Sequence, residues 1–274
     1  MNELAKEVVT HRIAVPGVQP KLSLSLINDN LHKFNQPRLT VVGALGGNYI
    51  FKPPFITYPE MPENEHLTMR IAEAFGIQTV PACLIKLKSG ELAYITKRID
   101  RADDGKKVHM LDMFQITEAV DKYKGTMELV GKALKLYSTD MLMDQLRYFE
   151  LAVFCFLTGN NDMHLKNFSM IHNDNKWSLA PAYDLLNVNL ANPSDKEELA
   201  LNLEGRKRKF TRHHFERFGT NLGLNSKQIQ GVFDRFSKNQ SKAKSLIDAS
   251  FLSEKMKEQY WSIMLQKFNT IHKQ

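Results

Sequence analysis

Asp162 and Asn167 stand five positions apart in the polar stretch Thr158-Gly159-Asn160-Asn161-Asp162-Met163-His164-Leu165-Lys166-Asn167-Phe168. That spacing matches a catalytic loop for phosphoryl transfer. In such chemistry the Asp accepts the proton of an incoming hydroxyl, or orients it, and the Asn gives Mg²⁺ a neutral oxygen. A second carboxylate must hold the metal that bridges the phosphates. Asp184, in Ala180-Pro181-Ala182-Tyr183-Asp184, qualifies. A tight hairpin starting at Asn167 returns the chain beside Asn167, so the three side chains can meet. The bland alternative is a set of polar loop residues that cap helix ends and satisfy turns. The apolar helix before the loop, the hairpin after it and Asp184 beyond weigh against that. His164 and Lys166 either contact phosphate or substrate, or pack in the loop. The Tyr183 ring lies near a nucleotide or packs structurally.

The first third of the chain supplies candidate phosphate-binding groups. Lys52 ends the strand Tyr49-Ile50-Phe51. On an inner strand its ammonium reaches an α- or β-phosphate; the alternative is an exposed edge lysine. Glu65, one turn into the next helix, is placed to pair with Lys52, although Glu near a helix N-terminus is also favoured by the dipole. Pro16-Gly17-Val18-Gln19-Pro20-Lys21 precedes the first strong strand, where backbone N–H groups and Lys21 can face phosphate. It lacks the Gly-Lys-Ser/Thr ending of a Walker motif, and Gly43, Gly46 and Gly47 form no G-x-G-x-x-G.

The elements that must position these groups divide by texture. Up to about residue 100 the chain is rich in Gly, Pro and β-forming segments. Leu22-Ser23-Leu24-Ser25-Leu26 alternates with period two, as a half-buried strand does. Thr40–Val42, Tyr49–Lys52, Cys83–Leu87 and Leu92–Thr96 predict further strands, the last two joined by a Ser89-Gly90 hairpin. A helix is predicted over 63–75, stopped by Gly76. Helical patterns then cover 111–120, 126–137, 141–158, 212–221, 226–236, 241–249 and 253–272, with one hairpin over 168–172 and 177–180. The expectation is an α+β, bilobal fold of the protein-kinase kind. A small mixed-sheet N-lobe with one or more helices (1–108) binds nucleotide phosphates. A larger helical C-lobe (109–274) carries the catalytic-loop hairpin and metal ligands, with the cleft between the lobes.

The 274 residues are 43% hydrophobic and 24% charged, near the average for a soluble globular protein. The longest apolar run, Leu151 to Leu157, is far short of the roughly 20 residues of a membrane span, and residues 1–10 do not read as a secretory signal. Two distant cysteines, Cys83 and Cys155, read as buried free thiols, which fits a reducing cytoplasm. The formal charge of +7 suits an anionic partner: nucleotide, nucleic acid or acidic protein surface. The run Arg206-Lys207-Arg208-Lys209, with Arg212, is either a solvated surface or a phosphate contact.

Taken together, these segments resemble the HipA-like serine/threonine kinases, toxins of bacterial toxin–antitoxin systems. The resemblance rests on Gly17-Val18-Gln19-Pro20-Lys21, Ile50-Phe51-Lys52-Pro53, Asn64-Glu65, Lys97-Arg98-Ile99-Asp100-Arg101 and Asp112-Met113-Phe114-Gln115. It continues through Asn161 to Phe168 and Pro181-Ala182-Tyr183-Asp184. It implies ATP and Mg²⁺ as cofactors. Lys52 would bind ATP phosphates, and His164 would lie near them. Asp100 and Gln115 would lie at the adenosine end, with the backbone near Arg98 and Ile99 as hinge. Asp162 would be the catalytic base, and Asn167 and Asp184 the metal ligands. The implied substrates are aminoacyl-tRNA synthetases, with stalled translation as the outcome, and the implied partner is an antitoxin through which DNA is contacted only indirectly.

Two departures bear on this. The chain starts almost at the phosphate loop, whereas full-length HipA carries a further N-terminal subdomain of about a hundred residues. The sequence therefore looks like the shorter HipT-type toxins, for which a separate small protein, HipS, stands in. Second, Ala14-Val15-Pro16-Gly17 holds no hydroxyl where the family has an autophosphorylated serine, so autophosphorylation there is expected to be absent. Rival readings are a pseudokinase or ATP-binding regulatory module, a basic nucleic-acid-binding protein, and a metal nuclease. Lys52, Asp162, Asn167 and Asp184 argue against the first. No zinc-finger spacing, RNP motif or helix-turn-helix supports the second.

Overall fold

The computed structural model describes residues 20–28, 37–42, 46–102 and 104–272. Gly17 and the Ala14–Pro16 positions lie outside the described residues. The chain divides into two units. The first comprises residues 1–66 and 80–107, the second residues 67–79 and 108–274.

In the first unit, β1 (Leu22–Asn28) pairs with β2 (Pro37–Val42) and with β3 (Tyr49–Lys52). β3 also pairs with β5 (Leu92–Lys97), and β5 with β4 (Ala82–Lys86). The order is β2-β1-β3-β5-β4, so the short strand that ends in Lys52 is the middle one. A mixed sheet was the expectation; each of these pairings is antiparallel. β4 and β5 are joined by a hairpin at Gly90 (φ 92°). β3 and β4 run in the same direction, but β5 lies between them, so no two paired neighbours among the described strands are parallel. Leu22, Leu24, Phe51, Ala93 and Ile95 form the core of this sheet. Ser23, between the two leucines, is buried as well, because its hydroxyl donates to the Gly46 carbonyl. Cys83 is exposed, contrary to expectation: β4 is an edge strand, and this residue points to solvent.

Helix α1 (Met61–Ala74) begins in the first unit and ends in the second. Gly76 closes it with φ 84°, and the Gly76 and Ile77 N–H groups bond the Glu73 and Ala72 carbonyls at 3.0 Å each. That is the left-handed closure a glycine allows without a Cβ penalty.

The second unit is helical around one small sheet. β6 (Met110–Asp112), β7 (Ser169–Asn173) and β8 (Lys176–Leu179) pair antiparallel in that order. The helix predicted over 111–120 is thus a strand followed by one helical turn, α2 (Met113–Ile116). Pairing of Met110, Leu111 and Asp112 with Ile171, Met170 and Ser169 overrides the local helical pattern. The helices α3 (Met127–Tyr137), α4 (Met141–Leu157), α6 (Arg212–Asn221), α7 (Ser226–Lys238), α8 (Gln240–Asp248) and α9 (Glu254–His272) lie close to their predicted bounds; a one-turn α5 (Val188–Ala191) was not foreseen. Among the described residues no helix is long and apolar enough to cross a membrane.

α4 is the mast of this unit. Every residue from Tyr148 to Leu157 is buried. Phe149 packs against Phe218 and Phe233, Phe154 against Phe75, and Phe156 against Phe210 and Phe215, with ring centres 5.1–6.3 Å apart. At about 1.5–3 kcal/mol for each large apolar side chain removed from water, this burial fixes where the helix ends. The loop that follows inherits that position.

Candidate active site

Thr158 caps α4, its hydroxyl bonding the Phe154 carbonyl at 2.9 Å. Gly159 follows at φ 66°, and the Asn160 N–H reaches back to the Cys155 carbonyl at 2.8 Å. The chain thereby leaves the helix sharply. The Gly159 carbonyl takes the N–H groups of Val188 and Asn189, both at 3.1 Å, which ties the loop to α5. A Cβ on Gly159 would lie 2.8 Å from Asn189 Oδ1 and 3.0 Å from Asn187 Oδ1. Gly159→Ala is therefore expected to cost at least the ~1–2 kcal/mol of a left-handed non-glycine residue. A thermal midpoint lowered by several degrees would report it.

Asp162 is held through its main chain and its carboxylate. Its N–H donates to Asn160 Oδ1 at 3.3 Å, and its carbonyl accepts from the His164 N–H at 2.8 Å and from Asn167 Nδ2 at 2.9 Å. The last bond joins the two residues of the Asp–Asn spacing. It uses the amide nitrogen and leaves Asn167 Oδ1 as the atom a hard cation would take. On the carboxylate, Oδ1 accepts the Tyr123 hydroxyl at 2.8 Å.

His164 is buried, and its Nε2 lies 2.9 Å from Lys122 Nζ. Burial is the largest influence on its ionisation, and Lys122 adds to it; the Asp162 and Asp184 carboxylates oppose them, and the net direction is down. The imidazole is neutral at neutral pH. Since an ammonium only donates, Nε2 accepts and the ring proton sits on Nδ1. Lys166 lies over the Phe114 ring at 4.6 Å.

The return limb of the hairpin carries Asp184. Asp174 (φ 48°) and Asn175 (φ 59°) make the two-residue tip, both in the left-handed region that a tight hairpin turn requires. The Tyr183 hydroxyl donates to the Lys166 carbonyl at 3.0 Å and lies 2.6 Å from Ser169 Oγ. It thus clamps the residue before Asp184 onto the two sides of Asn167. Asp184 itself has φ 55°, an uncommon conformation for a non-glycine residue and one concentrated at functional sites. Among the described residues no three His, Cys, Asp or Glu side chains converge on one metal position. The amide oxygen of Asn167 and the carboxylate of Asp184 are hard oxygens of the kind that a cation which keeps waters and takes phosphate as further ligands would use.

In the first unit, Lys52 Nζ lies 2.5 Å from Glu65 Oε1, and both side chains are almost wholly buried. The ammonium also lies 5.4 Å from the centre of the Tyr94 ring. The exposed-edge alternative for Lys52 is excluded. Asp100 takes a two-pronged contact from Arg98, at 2.9 and 2.7 Å, and another from Arg101 at 2.6 Å. Burial alone would raise its pKa, but the two guanidinium groups overcome that and hold it below the usual range. The Arg98 N–H bonds the Asn48 carbonyl at 2.8 Å, and Ile99 begins the turn that follows. Gln115, in the second unit, is exposed, and it shares a capping box with Asp112 at the start of α2. Lys21 is half-buried at the mouth of β1.

Sequence reasoning missed Lys122 and Tyr123. Their only sequence signal is the polar run Asp121-Lys122-Tyr123-Lys124-Gly125 just before α3, about forty positions from the loop they touch.

An antiparallel β-unit with a buried Lys–Glu pair, and a helical unit with a braced Asp–Asn loop, define a protein-kinase-like α+β fold. The sequence profile of the HipA-like C-terminal domain matches residues 13–244, and the chain belongs to that family. A Haemophilus influenzae protein described as a "Putative kinase" is 28% identical, over 88% of this chain and 77% of its own length. The serine/threonine-protein kinase toxin HipA of Shewanella oneidensis is 27% identical over 65% of this chain, which spans 44% of that toxin. A solved complex of Shewanella oneidensis HipA with HipB and its operator DNA superposes with a TM-score of 0.77 at 20% identity, over 97% of this chain and 70% of that one. The Helicobacter pylori proinflammatory kinase CtkA gives a TM-score of 0.62 at 16% identity, over 90% and 93%. At these identities the two structures establish the fold.

Proposed function

We propose that this chain is an ATP- and Mg²⁺-dependent serine/threonine-protein kinase, the toxin of a toxin–antitoxin system. The observation that carries the reading is the loop in which the amide of Asn167 is bonded to the carbonyl of Asp162, while the Asp162 carboxylate is held from its side. Asp162 accepts the proton of a substrate hydroxyl as that oxygen bonds the γ-phosphorus, and the bond to the β–γ bridging oxygen breaks to release ADP. Asn167 Oδ1 and Asp184 would hold Mg²⁺, which would neutralise phosphate charge when bound. Lys52, fixed by Glu65, is assigned to the ATP phosphates. His164, Tyr183, Gly17 and Lys21 are assigned to the nucleotide, as are Asp100, Gln115 and the main chain of Arg98 and Ile99.

The family resemblance suggests an aminoacyl-tRNA synthetase as substrate, hence arrested translation, and a HipS-like small subunit as a partner. The Shewanella complex, which holds HipA, HipB and operator DNA together, supports an antitoxin partner. Contact with DNA only through that partner is part of the proposal. The test is transfer of label from γ-labelled ATP with Mg²⁺ to a bacterial lysate. A labelled protein band that disappears with Asp184→Ala is the expected result. ATP binding without any transfer to lysate proteins would overturn the catalytic reading.

A further inference from the structure

We infer that Tyr123 is a positioning residue of the transfer step: its hydroxyl fixes one oxygen of Asp162 and leaves the other to take the acceptor's proton. This rests on the kinase reading and adds to it a residue from outside the catalytic loop. Asp162 Oδ1 accepts the Tyr123 hydroxyl at 2.8 Å. The remaining hydrogen bonds of Asp162 among the described residues go through its main-chain N–H and carbonyl. Tyr123 therefore decides which way the carboxylate faces. A carboxyl torsion is otherwise broad and roughly two-fold, with no strong preference of its own.

Tyr123 can do this because its own loop is locked to the catalytic loop. The Lys122 carbonyl accepts the Leu165 N–H at 3.1 Å, and Lys122 Nζ meets His164 Nε2 at 2.9 Å. The Tyr123 ring stands edge-on to His164, with centres 5.1 Å apart and planes at 85°. Its N–H is turned by Asp121 Oδ1 at 2.9 Å. A Cβ on Gly125 would lie 3.2 Å from both Leu165 methyls, so a glycine suits this close approach. A residue needed for packing alone has no use for the hydroxyl, because Phe would give His164 the same edge. Here the ring is 40% exposed and the hydroxyl is directed onto a carboxylate. Burial first, then the bond to Asp162, push the phenol's ionisation well up, so it stays a donor across the working pH range.

The experiment compares the full chain with Tyr123→Phe, and with 3-fluorotyrosine at position 123, which restores the O–H. Steady-state transfer to the labelled substrate gives kcat and the KM for ATP, with the thermal midpoint measured alongside. The expected result is a kcat lowered about 10–100-fold in Tyr123→Phe, the scale of a misplaced catalytic group. The KM and midpoint should stay unchanged, and fluorotyrosine should recover kcat. An unchanged kcat in Tyr123→Phe overturns the inference, as does a fall in midpoint that accounts for the loss, or a failure of fluorotyrosine to restore the rate. Absence of transfer by the unaltered chain would instead remove the kinase reading, and this inference with it.

Discussion

Asp162→Asn is expected to reduce phosphate transfer by about 10²–10⁴-fold, the usual contribution of a positioned general base. The substitution is nearly isosteric. The Tyr123 hydroxyl can still donate to the new amide oxygen, and the bond from Asn167 is made to the main-chain carbonyl, which the change does not touch. The loop should therefore keep its shape, and the thermal midpoint should stay close to the unaltered chain's. What disappears is the group proposed to accept the proton. Label transfer and a melting curve on the same preparation decide the matter. A variant that folds and still transfers at a rate within a few-fold of the original would show that the loop is structural and the base lies elsewhere.

The second large effect is on stability. Lys52 and Glu65 form a buried ion pair, with 3% and 2% of their side chains exposed. Taking two charges out of water is costly, and their attraction repays it only while both are present. Glu65→Leu removes that carboxylate and leaves its charge partner in place. The expected loss is about 3–5 kcal/mol, the range for breaking such a pair from one side. Combining it with Lys52→Met, which makes the site apolar, should recover most of that stability while leaving transfer abolished. Urea unfolding of the two single variants and the double gives the coupling directly. If the double variant is as unstable as the sum of the singles, the two residues do not act as a pair.

The sequence revealed features whose causes are local. β1, β3 and β5 were visible because turn residues and apolar patterns bound them, and α4 because its apolar content runs without a break. The Asp162–Asn167 spacing lies in one loop, so both residues could be named together. Lys52 and Glu65, thirteen positions apart, were also within reach, because a strand end and a helix start give each a direction. What remained hidden depends on distant chain. Met110–Asp112 is a strand only because the β7–β8 hairpin is there to pair with it. Strand direction in the first unit follows from connections that local alternation does not encode. Tyr123 reaches Asp162 across 39 positions, with no periodicity to announce it.

The tip of the β7–β8 hairpin has a practical consequence. Residues 173–176 are exposed, and Asn173 stands six positions beyond Asn167, at the far end of β7. Because side chains alternate faces, a one-residue insertion within β8 would swap inside for outside along the rest of that strand, down to Leu179. Material added between Asp174 and Asn175 extends into solvent and leaves the pairing below it in register. That junction is a natural port for an epitope, a fluorophore or a tether, giving a handle on the molecule that leaves its chemistry alone.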